Sequence, residues 1–286
     1  MWEEQNKKAV ELFQSGRHAE AMKIAQNALK EAEESFGPED ARVATSLNNL
    51  AEMYRAQARH AEAEPLWKRA LEIRKKALGP NHPDVSTLMN NLAGAYFELG
   101  DFAKAEYMLT GALRILEASL GTAHPDVATT LGNLAAVYRA QGKHPGARAI
   151  YDKILTIKEQ IHGPYHREVG ECLNNIAGLL ESQSRYAEAE KYYRRSLEIA
   201  EKVFGPEHPN FATSLTNLAG TLISQEKYAE AEPLVDRAIA IWEKTPGLDH
   251  PAIAPALGGI AEFYDLEGKP AEAERLRSLA IKTPLH

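Results

Sequence analysis

Between Val43 and Ala58, apolar and small residues fall at Leu47, Leu50, Ala51 and Tyr54. This is the i, i+3, i+4, i+7 spacing of one helical face. A second stripe follows at Ala63, Leu66, Trp67, Ala70 and Leu71, with Leu78 at its end. The two stripes predict helices of roughly 15–19 residues, and the short link between them makes the pair an antiparallel hairpin. The link carries Gly16, Gly100, Gly142 and Gly268 in four units but Ala58, Ser184 and Glu226 in three others.

The pattern then repeats. Gly37, Gly79, Gly121, Gly163, Gly205 and Gly247 close successive units, each 42 positions after the last. A fixed period of this size marks a repeat architecture rather than a compact globule. Seven units are predicted, at about 1–40, 41–82, 83–124, 125–166, 167–208, 209–250 and 251–286, forming one domain over 1–286. Gly79 stands where a left-handed helix cap belongs, and Pro80 blocks continuation. His82-Pro83-Asp84 then offers proline for a first helical position and an acid for the first turn. The doublet returns at His124-Pro125, His208-Pro209 and His250-Pro251, and becomes His166-Arg167 once. Small residues hold fixed places (Ala51, Ala93, Ala135, Ala177, Ala219 and Ala261 on first helices, Ala63 and its register mates on second ones), so that helices can approach to packing distance. Trp67, Leu109, Tyr151, Tyr193 and Val235 fill the space beside them.

Composition narrows the function. Of the 286 residues, 26% are charged and 44% apolar, as in ordinary folded proteins. A net charge of −7 argues against nucleic acid, whose phosphates need clustered Lys and Arg. Cys172 is the single cysteine, so an internal disulfide is excluded and a reducing, cytoplasmic setting is expected. The start lacks the apolar stretch of a signal peptide, and no run approaches the ~20 apolar residues of a membrane helix.

Leu47, Leu50, Ala51, Tyr54, Ala63 and Trp67 match the pattern of the tetratricopeptide repeat (TPR), which the chain resembles over essentially its whole length. The usual repeat has 34 residues. The longer unit here, its Asn-Asn-Leu-Ala core and its Gly-Pro-x-His-Pro linker look like the repeats of kinesin light chains and their bacterial relatives. The likeness implies an all-α TPR superhelical solenoid of about seven hairpins. It extends to the cargo-binding part only, because the heptad region that would pair with heavy chains is not found. Gln5, Lys8 and Arg277 replace apolar residues in the end units and read as polar caps.

The resemblance also implies that first helices line a concave groove that binds peptides. By register this places Asn49, Asn91, Asn133, Asn175 and Asn217 along it, with Gly259 in the last unit. Asparagine is a poor mid-helix residue, so five in register need a reason. Either the amides hydrogen-bond the backbone of a bound segment, or each bridges to a neighbouring helix and holds the stack. Asn48, Asn90 and Asn174, with Thr216, Gly132 and Gly258 at the same register, are expected to face the groove. Gly94, Gly178 and Gly220 share one aligned position; glycine costs ~1 kcal/mol within a helix, so space is wanted there. Arg55 and Arg139 would favour acidic peptide side chains, or are simply solvated.

Other chemistry is weakly represented. Linker histidines one repeat apart cannot converge on one ion, so no metal site and no cofactor are expected. Cys172 has no nucleophile constellation around it, and the acidic pairs opening second helices suit the helix dipole. The expected function is therefore a non-enzymatic protein-interaction scaffold that holds a partner peptide or helix. Two alternatives are a regulator whose curvature changes on binding a signalling peptide, and a self-assembling scaffold using Leu276, Leu279 and Ile281 at the C-terminal end.

Overall fold

The computed structural model describes residues 1–244 and 253–281; for 243, 253–257, 260 and 279–281 it describes the backbone alone. Gly247, His250 and Pro251 and the side chains of Leu279 and Ile281 lie outside the described residues. The described residues form fourteen α-helices and no strand. They pair as seven hairpins: α1 (Trp2–Gln14) with α2 (His18–Phe36), α3 (Ala41–Ala56) with α4 (His60–Leu78), and α5 (Pro83–Glu98) with α6 (Phe102–Leu120). The series continues with α7 (Pro125–Ala140), α8 (His144–His162), α9 (Arg167–Glu181) and α10 (Tyr186–Phe204). It ends with α11 (Pro209–Ile223), α12 (Tyr228–Lys244), α13 (Ile253–Leu266) and α14 (Pro270–Ile281). The helices group into two compact units, Met1–Ile157 and Lys158–His286.

Each turn inside a hairpin needs one residue with positive φ. Glycine supplies it at Gly100 (φ 76°), but Ala58, Ser184 and Glu226 adopt φ of 57–59° despite carrying a Cβ. Between hairpins the expected left-handed cap takes a different form. Gly79 has φ 88° and ψ 158°, an extended region open essentially to glycine alone. The following Pro80 is compatible with this, since proline disfavours a helical ψ in the residue before it, but it is not required. Gly121, which precedes Thr122, adopts the same geometry.

The histidines of the four linkers from His82 to His208 do more than punctuate. Nδ1 of His82 accepts the backbone N–H of Asp84 at 3.2 Å, so the imidazole is the N-cap of α5, with Pro83 at the first helical position. His124, His166 and His208 repeat the bond at 3.2, 3.3 and 3.1 Å. Asp40 does the same work for α3, accepting from the Arg42 N–H at 2.8 Å. Replacing His124 by alanine should therefore cost about 1 kcal/mol in urea denaturation, whereas His124→Asp should retain most of the stability.

The small-residue register is the core. Ala51, Ala93, Ala135, Ala177, Ala219 and Ala261, and Ala63, Ala105, Ala147, Ala189, Ala231 and Ala273, are all buried. Trp67, Leu109, Tyr151, Tyr193 and Val235 pack beside them. Acid–base ties join consecutive hairpins on the outside. Glu106 of α6 accepts from Gln141 at 3.0 Å and Lys143 at 2.8 Å in the next turn. In the second unit Glu190 of α10 accepts from Gln225 (3.0 Å), Lys227 (2.7 Å) and Arg194 (2.8 Å).

Burial pushes the Glu190 carboxyl upward, but the bonds from Lys227, Arg194 and Gln225 outweigh it and bring the pKa from 4.5 down to about 2. A depressed carboxyl stabilises the fold fully above its unfolded pKa and loses that contribution as pH falls through the folded value. Glu190→Gln should thus be less stable than the parent at pH 7. The gap should close between about pH 4.5 and 2 in a denaturation series.

Candidate functional site

In the first unit, α3, α5 and α7 run side by side and open a groove of about 410 Å³. Its walls bring together Arg55, Asn90, Asn91 and Asn133, four of the residues expected there from register. Glu52, Phe97 and Glu98 line it as well; the sequence reading did not single them out as groove residues, although Glu52 and Phe97 lie in the registers of Gly94 and Arg55. Arg139 stands exposed near the end of α7 and makes no ion pair among the described residues.

The asparagines divide by what precedes them. Asn49 Nδ2 donates to Asn6 Oδ1 at 3.3 Å, and Asn91 Nδ2 donates to Asn48 Oδ1 at 2.9 Å. These two amides hold one hairpin to the previous one. The adjacent register is engaged too. Asn6 donates to Ser46 Oγ at 3.0 Å, and Asn90 donates to Thr130 Oγ1 and the Ser86 carbonyl, both at 3.1 Å. Asn48 meets Leu88 where the others meet a hydroxyl, and its Oδ1 instead accepts from Trp67 Nε1 at 3.0 Å. Asn48 and Asn90 are accordingly half-buried members of the stack, with at most part of each amide facing the groove.

Asn133 and Asn175 differ. Both are exposed, and neither side chain has a hydrogen-bond partner among the described residues. Asn90 turns to Thr130 instead, leaving its Oδ1 buried without a partner. Asn217 is half-buried with no side-chain bond among the described residues, and Asn174 keeps a buried Oδ1 without a partner. Asn174 lines a separate recess of about 240 Å³ between α9, α10 and α11, with Ser196 and Ser214.

The groove floor is open. A Cβ built on Gly94 or Gly220 meets no atom within 4 Å, so no neighbouring helix explains either glycine; at Gly178 the first contact is Tyr193 Oη at 3.8 Å. Arg55 is already paired within α3, donating to Glu52 at 2.8 Å, so an acidic partner would compete for an occupied guanidinium. Glu181, in the register of Arg55, is drawn into the second unit's core. It accepts from Tyr193 Oη at 2.9 Å and Thr221 Oγ1 at 2.5 Å, and burial together with that carboxylate pushes the Tyr193 phenol well up. The aligned position therefore reads differently in each unit. At the C-terminal end, Leu276 is 2% exposed and belongs to the core of the α13–α14 hairpin, so it does not form the docking surface that the sequence suggested. No helix among the described residues is long and apolar enough to cross a membrane.

The tetratricopeptide repeat model matches residues 5–66, 42–118, 126–202, 173–225 and 210–281. The chain belongs to the tetratricopeptide repeat family, with its all-helical solenoid fold. Among solved structures it is similar to the kinesin light chain TPR-like repeats of Podosopora anserina: 24% identity, 72% of this chain and 97% of that one, TM-score 0.65. BtubC (BKLC) from P. vanneervenii is similar at 23% identity over 88% and 94% of the two chains, TM-score 0.65. A tetratricopeptide repeat protein from Parabacteroides merdae shares 18% identity over 100% and 94%, TM-score 0.64. No curated protein matches the chain by sequence.

Proposed function

We propose that the chain is a non-enzymatic protein-interaction scaffold. It holds an extended or helical segment of a partner protein in the groove of α3, α5 and α7. The observation that carries this reading is Gly94: an exposed mid-helix glycine that packing does not require, on the floor of a groove walled by polar groups. Such a glycine costs ~1 kcal/mol of helix stability and leaves a clear path for another backbone. Asn133 supplies a free amide, which can donate to and accept from a peptide backbone irrespective of its sequence. Phe97 gives an apolar wall, and Glu52, Arg55 and Glu98 give a mixed-charge rim that tunes side-chain choice. Rigid helices fix these groups in advance, so the ordering entropy falls mainly on the partner segment. The protein acts by presentation and needs no cofactor for it.

The two kinds of asparagine separate binding from stability. Asn133→Ala should weaken binding of the partner segment about tenfold while leaving the urea midpoint unchanged. Asn91→Ala should lower stability by about 1 kcal/mol, because it removes a bond between hairpins. Equal effects of both variants on stability, with neither touching affinity, would refute the reading.

A further inference from the structure

The fourth linker, between α8 and α9, is unlike the others. In the second and third linkers the last turn of the preceding helix carries Leu78 or Leu120, and in the fifth Phe204 stacks on His208 with ring centroids 5.0 Å apart. In the fourth, that register holds His162, stacked on His166 at 4.2 Å and 12° between planes. Two positions on, Glu168 completes the group, with His162 Nε2 3.5 Å from Glu168 Oε1. One ligand atom from each of His162, His166 and Glu168 lies within 4.8 Å of the others. The linker histidines do stand a whole repeat apart, but His162 brings a second imidazole to one of them.

We propose that His162, His166 and Glu168 bind a divalent transition-metal ion of the zinc class. Two ligands at about 2.0–2.1 Å on tetrahedral zinc stand roughly 3.3 Å apart, close to the His162–Glu168 separation. His166 Nδ1 accepts the Glu168 N–H at 3.3 Å, which places that ring's proton on Nε2; Nδ1 therefore gives up this cap bond to take the ion. His162 is exposed at the end of α8, with Nε2 3.5 Å from Glu168 Oε1, so nothing packed around it stops the ring from leaving the stack to meet the ion. Lys158 donates to Glu168 Oε2, which leaves Oε1 for the metal. Two imidazoles and one carboxylate, with a position left for water, suit zinc, cobalt or nickel rather than magnesium or calcium, which prefer all-oxygen shells. His82–Asp84 and His124–Asp126 repeat the histidine and acid at 3.7 and 3.6 Å, but Leu78 and Leu120 stand in place of the second imidazole. The ion would fasten the last turn of α8 to the first turn of α9.

The test is calorimetric titration of the full, untagged chain with Zn²⁺, alongside the visible absorption of added Co²⁺. One saturable equivalent is expected, with a d–d band of low-coordinate cobalt. His162→Phe, which recreates the Phe204–His208 stack, and Glu168→Gln should fold normally by circular dichroism and bind Zn²⁺ at least about tenfold more weakly. His124→Asp should bind as the parent does. Absence of saturable binding in the parent, or unchanged Zn²⁺ affinity in His162→Phe, would overturn the proposal.

Discussion

Trp67→Ala will cost about 3–5 kcal/mol, the largest loss expected from any single core truncation in the first unit. The indole is fully buried beside Ala51 and Ala63, where small residues leave no side chain able to swing into the space. It also carries a polar duty. Its Nε1 donates to Asn48 Oδ1, the atom that receives the Asn91 amide, so the core and the asparagine ladder share one acceptor. Trp67→Phe should keep most of the packing and lose about 1 kcal/mol for the missing donor. Because a repeat array unfolds in segments, the loss should show in the urea midpoint and in amide exchange confined to the hairpins around α3 and α4. A change below 1 kcal/mol for Trp67→Ala would mean that the hairpin closes over the gap.

Gly94→Tyr will abolish most partner binding without harming the fold. Nothing lies within 4 Å of a Cβ at this position, so the side chain projects into the groove rather than against a helix. Affinity for the partner segment should fall at least about thirtyfold, roughly 2 kcal/mol. Thermal stability should hold or rise, since nearly every residue is a better helix former than glycine. Gly94→Ala should gain up to about 1 kcal/mol of stability and lose affinity more modestly. Opposite signs for stability and binding at one residue would mark a position kept for function rather than for packing.

Much of the architecture was legible in the sequence because it rests on strict periodicity. The alanine registers and the Trp67 stripe follow from which side chains can meet at a fixed helical pitch, and they recur in the structure at the expected residues. The division of the asparagines was not legible. Asn91 and Asn133 share a register, and their fates separate because Asn48 turns its oxygen to Trp67 and Asn91, while Asn90 turns its Nδ2 to Thr130 and its oxygen meets no donor. A contact between hairpins depends on two registers at once, and one column of residues does not reveal it. The histidine caps escaped notice for a related reason. Histidine is not a customary N-cap, yet its Nδ1 reaches the same backbone N–H that Asp40 reaches with Oδ1. Leu276 looked available from its place near the chain's end, whereas the α13–α14 hairpin buries it. Arg55 looked free, but Glu52 one turn earlier already holds it.

A photo-crosslinking residue in place of Gly94 tests the central claim most directly. Irradiation with the partner bound, followed by mass spectrometry, should yield crosslinks to one short linear segment of the partner. A synthetic peptide of that segment should bind the parent chain and fail to bind Gly94→Tyr. Crosslinks that arise instead from a probe at the exposed Tyr107 on α6, with the peptide binding Gly94→Tyr as tightly as the parent, would contradict a partner seated in the groove.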